Sequence, residues 1–328
     1  MNSLLKLDWK SLPQGMYFLE NVLGKDNKFW KYLVTVVVAW LTASLIGALP
    51  LMIVVLVQIF KTGSDFSPEM LQNLDFTSIG ISQNLFLVLM LLPFAVGLFV
   101  TVLLIKALHK RSFSETVNGT KKVRWNRILT GFCIWLLLMF VYLVIYYIVN
   151  PENFVVQFNV QTFIPLVFIA FIFIPLQITF EELLFRGYLA QGIGAWTKNR
   201  WLVVLIPSVL FGLMHSANPE VSTFGFWETM PQYILFGLIF GFASVFDDGI
   251  ELAIGVHAAN NIFSCLFVTF DVASLKTPAI LHQQTVNPQT ETIVLLVVGL
   301  ISLFIFAKKY KWKFSVMNKK IEPDMADL

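Results

Sequence analysis

An all-α, polytopic membrane protein with about eight transmembrane helices and an intramembrane polar site is the fold class this sequence predicts. Of its 328 residues, 57% are hydrophobic and only 13% charged, too few polar side chains to coat a water-soluble globule of that size. The apolar residues gather in stretches of about twenty, the length a helix needs to cross a ~30 Å hydrocarbon core. The ionisable residues inside those stretches concentrate in three of them, which locates the polar site.

Spans are expected at 30–60, 84–106, 127–149, 162–190, 201–218, 229–246, 250–270 and 291–307. The segment before them, 1–29, is expected to be a cytoplasmic N-terminal segment. Within it Met16, Phe18, Leu19, Val22 and Leu23 form an apolar stripe suited to lying on a membrane surface. The first span is longer than a crossing requires and holds Pro50, so it should tilt, kink or extend into the interface. Its length also argues against a cleaved signal peptide. The second, third and eighth spans are Leu, Val, Ile and Phe with few polar interruptions, and the segments 61–83 and 107–126 between early spans are loop-sized. The fourth, fifth and seventh spans carry Glu181, Glu182, Arg186, His215, His257, Asn260 and Asn261. No soluble domain or internal repeat breaks the series, so 30–307 reads as one membrane domain, followed by a basic tail, 308–328.

Orientation follows from lysine and arginine, which stay on the cytoplasmic side of short loops. All but Lys61 and Lys276 of the 23 basic residues fall on one side if the spans are even in number. Both termini are then cytoplasmic in an integral, multi-pass protein of the cell membrane. The formal charge of +3 thus reflects topology and attraction to membrane lipids, and nucleic acid is excluded as an expected partner. Cys133 and Cys265 lie in separate spans without CxxC spacing and read as small packing residues.

Ionisable groups in a membrane helix cost several kcal/mol unless they face partners or a cavity, so a cluster shared by three spans is a functional-site hypothesis. In Phe180-Glu181-Glu182-Leu183-Leu184-Phe185-Arg186, adjacent glutamates point about 100° apart while Glu182 and Arg186 share a face. One carboxylate can be neutralised by Arg186 and the other left to accept a proton from water. The plainer reading is a charged helix end with a weak surface pair. In Phe211-Gly212-Leu213-Met214-His215, an aromatic wall sits one turn below an imidazole. His215 suits acid, base, ligand or donor, or a structural hydrogen bond. In His257-Ala258-Ala259-Asn260-Asn261, His257 and Asn261 share a face across small alanines. They suit an oxyanion or interhelical polar glue.

In order, each on its own span, Glu-Glu-x-x-x-Arg, Phe-x-x-x-His and His-x-x-x-Asn resemble the signature of the CPBP family of intramembrane proteases. That family includes the type II CAAX prenyl endopeptidases and bacteriocin-processing or immunity proteins. The resemblance covers about 160–270, the expected catalytic core, and implies an eight-helix membrane fold and endopeptidase activity near a substrate's C-terminus or within a leader. It implies that Glu181 activates the attacking water with His215 assisting as proton acceptor or donor. His257 and Asn261 would stabilise the oxyanion, and Glu182 and Arg186 would orient them. Family members are often labelled metalloproteases, and Glu181, His215 and His257 could supply three ligands to Zn2+ with a fourth position for water. There is no His-Glu-x-x-His, however, and a glutamate–histidine pair can activate water without metal. The expected partner is a peptide or protein with a hydrophobic, lipidated or leader-bearing segment. The alternatives are a non-catalytic immunity or scaffold protein of the same fold and a proton-coupled transporter; the absence of internal symmetry weighs against the latter. The site's cavity is expected to open toward the cytoplasm, because two of the three motifs lie in that half.

Overall fold

The computed structural model describes residues 18–23, 27–63, 65, 67, 70 and 74–322. It is an all-α bundle with very little strand. The helices are α1 (Phe29–Thr42), α2 (Leu49–Thr62), α3 (Gln83–His109), α4 (Phe113–Asn118), α5 (Trp125–Val149) and α6 (Val160–Glu182). They continue as α7 (Ala190–Thr197), α8 (Arg200–Met214), α9 (Pro219–Phe224), α10 (Phe226–Phe246), α11 (Glu251–Phe267) and α12 (Pro288–Tyr310). Among the described residues, six continuous helical runs are long and apolar enough to cross a membrane. The fifth and seventh expected spans are helices too, but α8 and α11 have only 15 and 17 residues.

The long first span is α1 and α2 joined through a π-helical turn, Ala43–Gly47. Pro50 stands in the first turn of α2, where its missing N–H costs no helical bond. The fourth span is longer than hydropathy suggested. Val160–Thr197 is one continuous 38-residue run, because a second π-helical segment, Leu183–Leu189, carries α6 into α7.

α11 is the central element, buried over most of its length. α5 lies directly on it through a glycine pair: a Cβ on Gly131 would stand 2.6 Å from the Leu252 carbonyl oxygen and 3.4 Å from Gly255 Cα. Only glycine admits so close a backbone approach, which is how membrane helices gain packing without a hydrophobic drive between them. The middle of the 160–197 run is equally enclosed, residues 180–194 being buried throughout. Outward faces are apolar instead of polar: Leu45, Ile53, Phe60, Ile148, Phe168 and Phe304 are exposed, as expected of surfaces that meet lipid.

Helix ends gather at two opposite poles. The basic pole joins residues 18–23, the 110–124 and 247–250 loops and the tail. Arg124 Nη2 lies 2.6 Å from Glu251 and 3.4 Å from Asp247, and Arg127 reaches Asp247 at 3.0 Å. Trp312 donates to Asp247 at 3.2 Å, while Arg200 pairs with Glu20 and donates to the carbonyls of Lys319 and Lys320. Met16 of the expected surface stripe lies outside the described residues. Phe18, Leu19 and Val22 are buried by the protein instead of lying on a membrane, because the loops and tail close over them. At the opposite pole, β1 (Phe154–Val156), β3 (Leu281–Gln283) and β2 (Val268–Thr269) form a small sheet. β1 pairs antiparallel and β2 parallel to β3.

Candidate active site

Glu181 and Glu182 are the last two residues of regular α-helix before the π-helical segment, and Arg186 lies within it. All three are buried, Glu182 completely. Their roles in the packing differ sharply. Glu182 Oε1 accepts from Arg186 Nη1 at 2.9 Å and stands 2.8 Å from His257 Nδ1. Glu181 Oε1 accepts from Gln177 Nε2 at 3.1 Å. Its Oε2 has no hydrogen-bond partner in the protein and stands 3.8 Å from His257 Nε2. The imidazole of α11 is thus held with one nitrogen on each glutamate. With Glu182 accepting from Nδ1–H, Nε2 is the atom turned to Glu181.

Aromatic rings set these groups in place. Phe240 of α10 stacks on His257, with centroids 4.7 Å apart. The Arg186 guanidinium lies 4.1 Å from the centre of the Phe211 ring, a cation–π contact that compensates a buried charge. Phe211 also stands edge-on to His257 at 5.8 Å and 4.6 Å from His215. His215, the residue that caps α8 at its C-terminus, holds the Phe211 carbonyl with Nδ1 at 2.7 Å and stacks on Tyr233. Asn261 Oδ1 accepts from Asn260 Nδ2 at 3.2 Å, and Asn260 in turn accepts from Trp135.

A cavity of about 530 Å³ is lined by Glu181, His215, His257 and Asn261 together. Glu182 and Arg186 stand behind this wall. From Glu181 the cavity runs past Tyr233 to Glu220, Phe154 and Gln283, which belong to the pole opposite the basic loops. The lining therefore extends away from the basic half, toward which the sequence suggested an opening. Helix ends read from hydropathy shift the motifs in depth: helical structure runs on from α6 to Thr197, past the expected end at 190, and α8 ends at Met214, short of the expected 218.

Four residues that bind this site together were missed by sequence reasoning. Gln177, one turn before Glu181, is an amide in the apolar middle of its helix and could have been found by its spacing. Tyr233, Phe240 and Trp135 look like ordinary span aromatics. For the metal reading, among the described residues no three His, Cys, Asp or Glu side chains converge as a ligand set. His257 Nδ1 on Glu182 and His215 Nδ1 on a carbonyl leave each Nε2 available, but the side chains do not close round one point. As placed, they do not form a Zn2+ ligand set, and no step below uses the ion.

Residues 160–263 match the family model of the type II CAAX prenyl endopeptidases, Rce1-like. The motif-bearing segment is Rce1-like. It begins with α6 and ends two residues past Asn261, so it holds every candidate residue named above. At the level of the family, the Rce1-like match is to a peptidase. A relative from Bacillus subtilis, "Uncharacterized protein YyaK", is 38% identical over 168 residues, 51% of this chain and 56% of its own length. The chain thus spans about half the length of that relative. No solved structure matches.

Proposed function

We propose that the protein is an intramembrane endopeptidase that hydrolyses a peptide bond in a hydrophobic, lipidated or leader-bearing segment. One observation carries this reading: a buried carboxylate oxygen, Glu181 Oε2, that no protein donor satisfies, at the wall of a cavity large enough for a peptide. Among the described residues Glu182 Oε2 and Asp247 Oδ2 also lack a hydrogen-bond donor, but neither residue lines the cavity; Glu181 does, where a carboxylate suits proton exchange with bound water.

In the proposed reaction Glu181 takes a proton from water as the water oxygen bonds to the scissile carbonyl carbon. Charge moves to the carbonyl oxygen. Asn261 Nδ2 is a donor for that oxyanion, since its Oδ1 is engaged by Asn260. His257 keeps Nδ1–H on Glu182, and a proton gained on Nε2 as the reaction proceeds makes it a donor to the oxyanion, an arrangement that favours the tetrahedral species. Collapse breaks the C–N bond, and Glu181 returns its proton to the departing nitrogen, with His215 Nε2 assisting. Glu182 and Arg186 orient His257. A cell-membrane location with both termini cytoplasmic belongs to the same proposal and is supported by the gathering of basic residues at one pole.

The test is cleavage of prenylated, unprenylated and leader peptides by purified protein and its Glu181→Gln variant, read by mass spectrometry with and without chelator. Cleavage by the unsubstituted protein, insensitive to chelator and lost in the variant at unchanged melting temperature, is expected. Equal cleavage by Glu181→Gln would sink the mechanism.

A further inference from the structure

The proposed catalytic residues occupy one end of the cavity; its other walls have a charge pattern of their own. Glu220 and Glu291 line it as well as Glu181, and no Lys or Arg is among the described residues lining it. Glu220 is held by hydroxyls: Tyr233 Oη donates to Oε1, and Ser274 Oγ donates to Oε2 at 2.6 Å. Asn218 Nδ2 braces Tyr233 at 2.9 Å. Glu291, in the first turn of α12, accepts from Tyr142 Oη at 3.1 Å. The nearby cations are committed elsewhere. Arg186 is engaged by Glu182 between the Phe211 and Phe240 rings, and Lys276 pairs with Asp75 at 3.3 Å. Among the described residues, the groups on the wall able to carry positive charge are His215 and His257.

A carboxylate retains acceptor positions after one hydroxyl bonds to each oxygen. Two carboxylates fixed on one apolar cavity attract a cation and penalise an anion, strongly where water is scarce. A substrate entering with a free C-terminal carboxylate would meet like charge at Glu220, Glu291 and Glu181, with no fixed cation to receive it. Glu181, buried and with an Oε2 that no donor in the protein satisfies, lies on the same wall.

We propose that this cavity takes a hydrophobic peptide carrying a positive charge, a Lys or Arg side chain or an N-terminal ammonium, against Glu220 and Glu291, and disfavours a leading free carboxylate. This deepens the peptidase reading and rests on it. The substrate is then cut at an internal bond with its C-terminus outside the cavity.

The experiment uses the full chain in lipid nanodiscs. Fluorescent peptides of one apolar sequence carry either a Lys with both ends capped, norleucine with both ends capped, norleucine with a free N-terminus, or norleucine with a free C-terminus. Binding is measured on the Glu181→Gln protein and cleavage on the unsubstituted one. The Lys peptide, the free-amine peptide or both are expected to bind about tenfold more tightly than the fully capped norleucine peptide, the equivalent of one charge-assisted contact. Which of the two gains identifies the source of the charge. The free-carboxylate peptide should bind most weakly. Replacing Glu220 and Glu291 by Gln should bring the four together; if that variant does not fold, the ranking on the parent protein still decides. Equal binding of all four, tightest binding of the free carboxylate, or binding of none overturns the proposal. Charge-selective binding without any cleavage would remove the peptidase reading and keep the charge preference, whereas cleavage indifferent to charge would do the reverse.

Discussion

Glu181 and Glu251 are both buried carboxylates on membrane helices, yet their surroundings differ in kind. Glu251, at the basic pole, accepts from Asn118 Nδ2, from the Arg124 backbone and from two nitrogens of its guanidinium. Glu181 has one donor, Gln177, a second oxygen without a donor, and a place on the cavity wall. The first is satisfied on all sides and ties α11 to the loop before α5. The second is left incomplete, a costly state for a buried carboxylate, and of the described carboxylates with an oxygen lacking a donor it is the one on the cavity wall. Burial of charge alone does not mark function in such a protein; incomplete satisfaction beside a cavity does.

The contrast is broken most directly at Glu181. Exchange for Gln should lower turnover by roughly 10³-fold, in the range of a lost general base, while the melting temperature stays within a few degrees. A comparable loss of melting stability would make Glu181 structural. Glu251→Ala should behave in the opposite sense. Stranding Arg124 and Asn118 should cost about 3 kcal/mol, in line with breaking a buried ion pair, read as a lower melting temperature in detergent. Protein that remains folded should cut substrate at its normal rate. Glu182→Gln lies between the two: it keeps the shape but weakens the hold on His257 and Arg186. Turnover should fall roughly 10²-fold with KM little changed, if the residue acts through the transition state.

The smallest effect concerns pH at the basic pole. Burial pushes the Glu20 carboxyl up to about 7 despite its Arg200 partner, and Asp247 up to about 6 despite Arg124 and Arg127. An acid with a raised folded pKa binds its proton more tightly when folded. Stability is therefore highest in acid and declines as pH rises from about 4 to about 7. Glu20→Gln should flatten the upper part of that decline in a melting-temperature series. An unchanged slope would assign it to other groups.

Much of the site was legible because its chemistry is concentrated in unusual residues. A glutamate pair with Arg four residues on, and a histidine four before an asparagine, stand out in spans made of Leu, Ile, Val and Phe. Gln177 was visible but isolated, and Phe240 was one phenylalanine among 32, with nothing local to mark that it stacks on His257. The little sheet escaped notice because strands of two or three residues are too short for alternation to show. The depth of the site was misread for a different reason. Hydropathy does not fix where a helix ends once protein surrounds it: residues 180–194 are buried, and the run continues to Thr197, past the expected 190.

The π-helical segment at Leu183–Leu189 also acts as a phase shift. A π-turn is an α-helix carrying one extra residue, and one residue rotates everything beyond it by about 100°. The two halves of the long run therefore keep separate angular settings. Glu181 and Glu182 are aimed at α11, while Tyr188 and Gln191 are aimed at the basic pole, where they meet Thr35 and Arg111. A straight helix would have to compromise between those bearings, so that improving the anchor would turn the carboxylates away from the cavity. The inserted residue lets each half change without re-aiming the other.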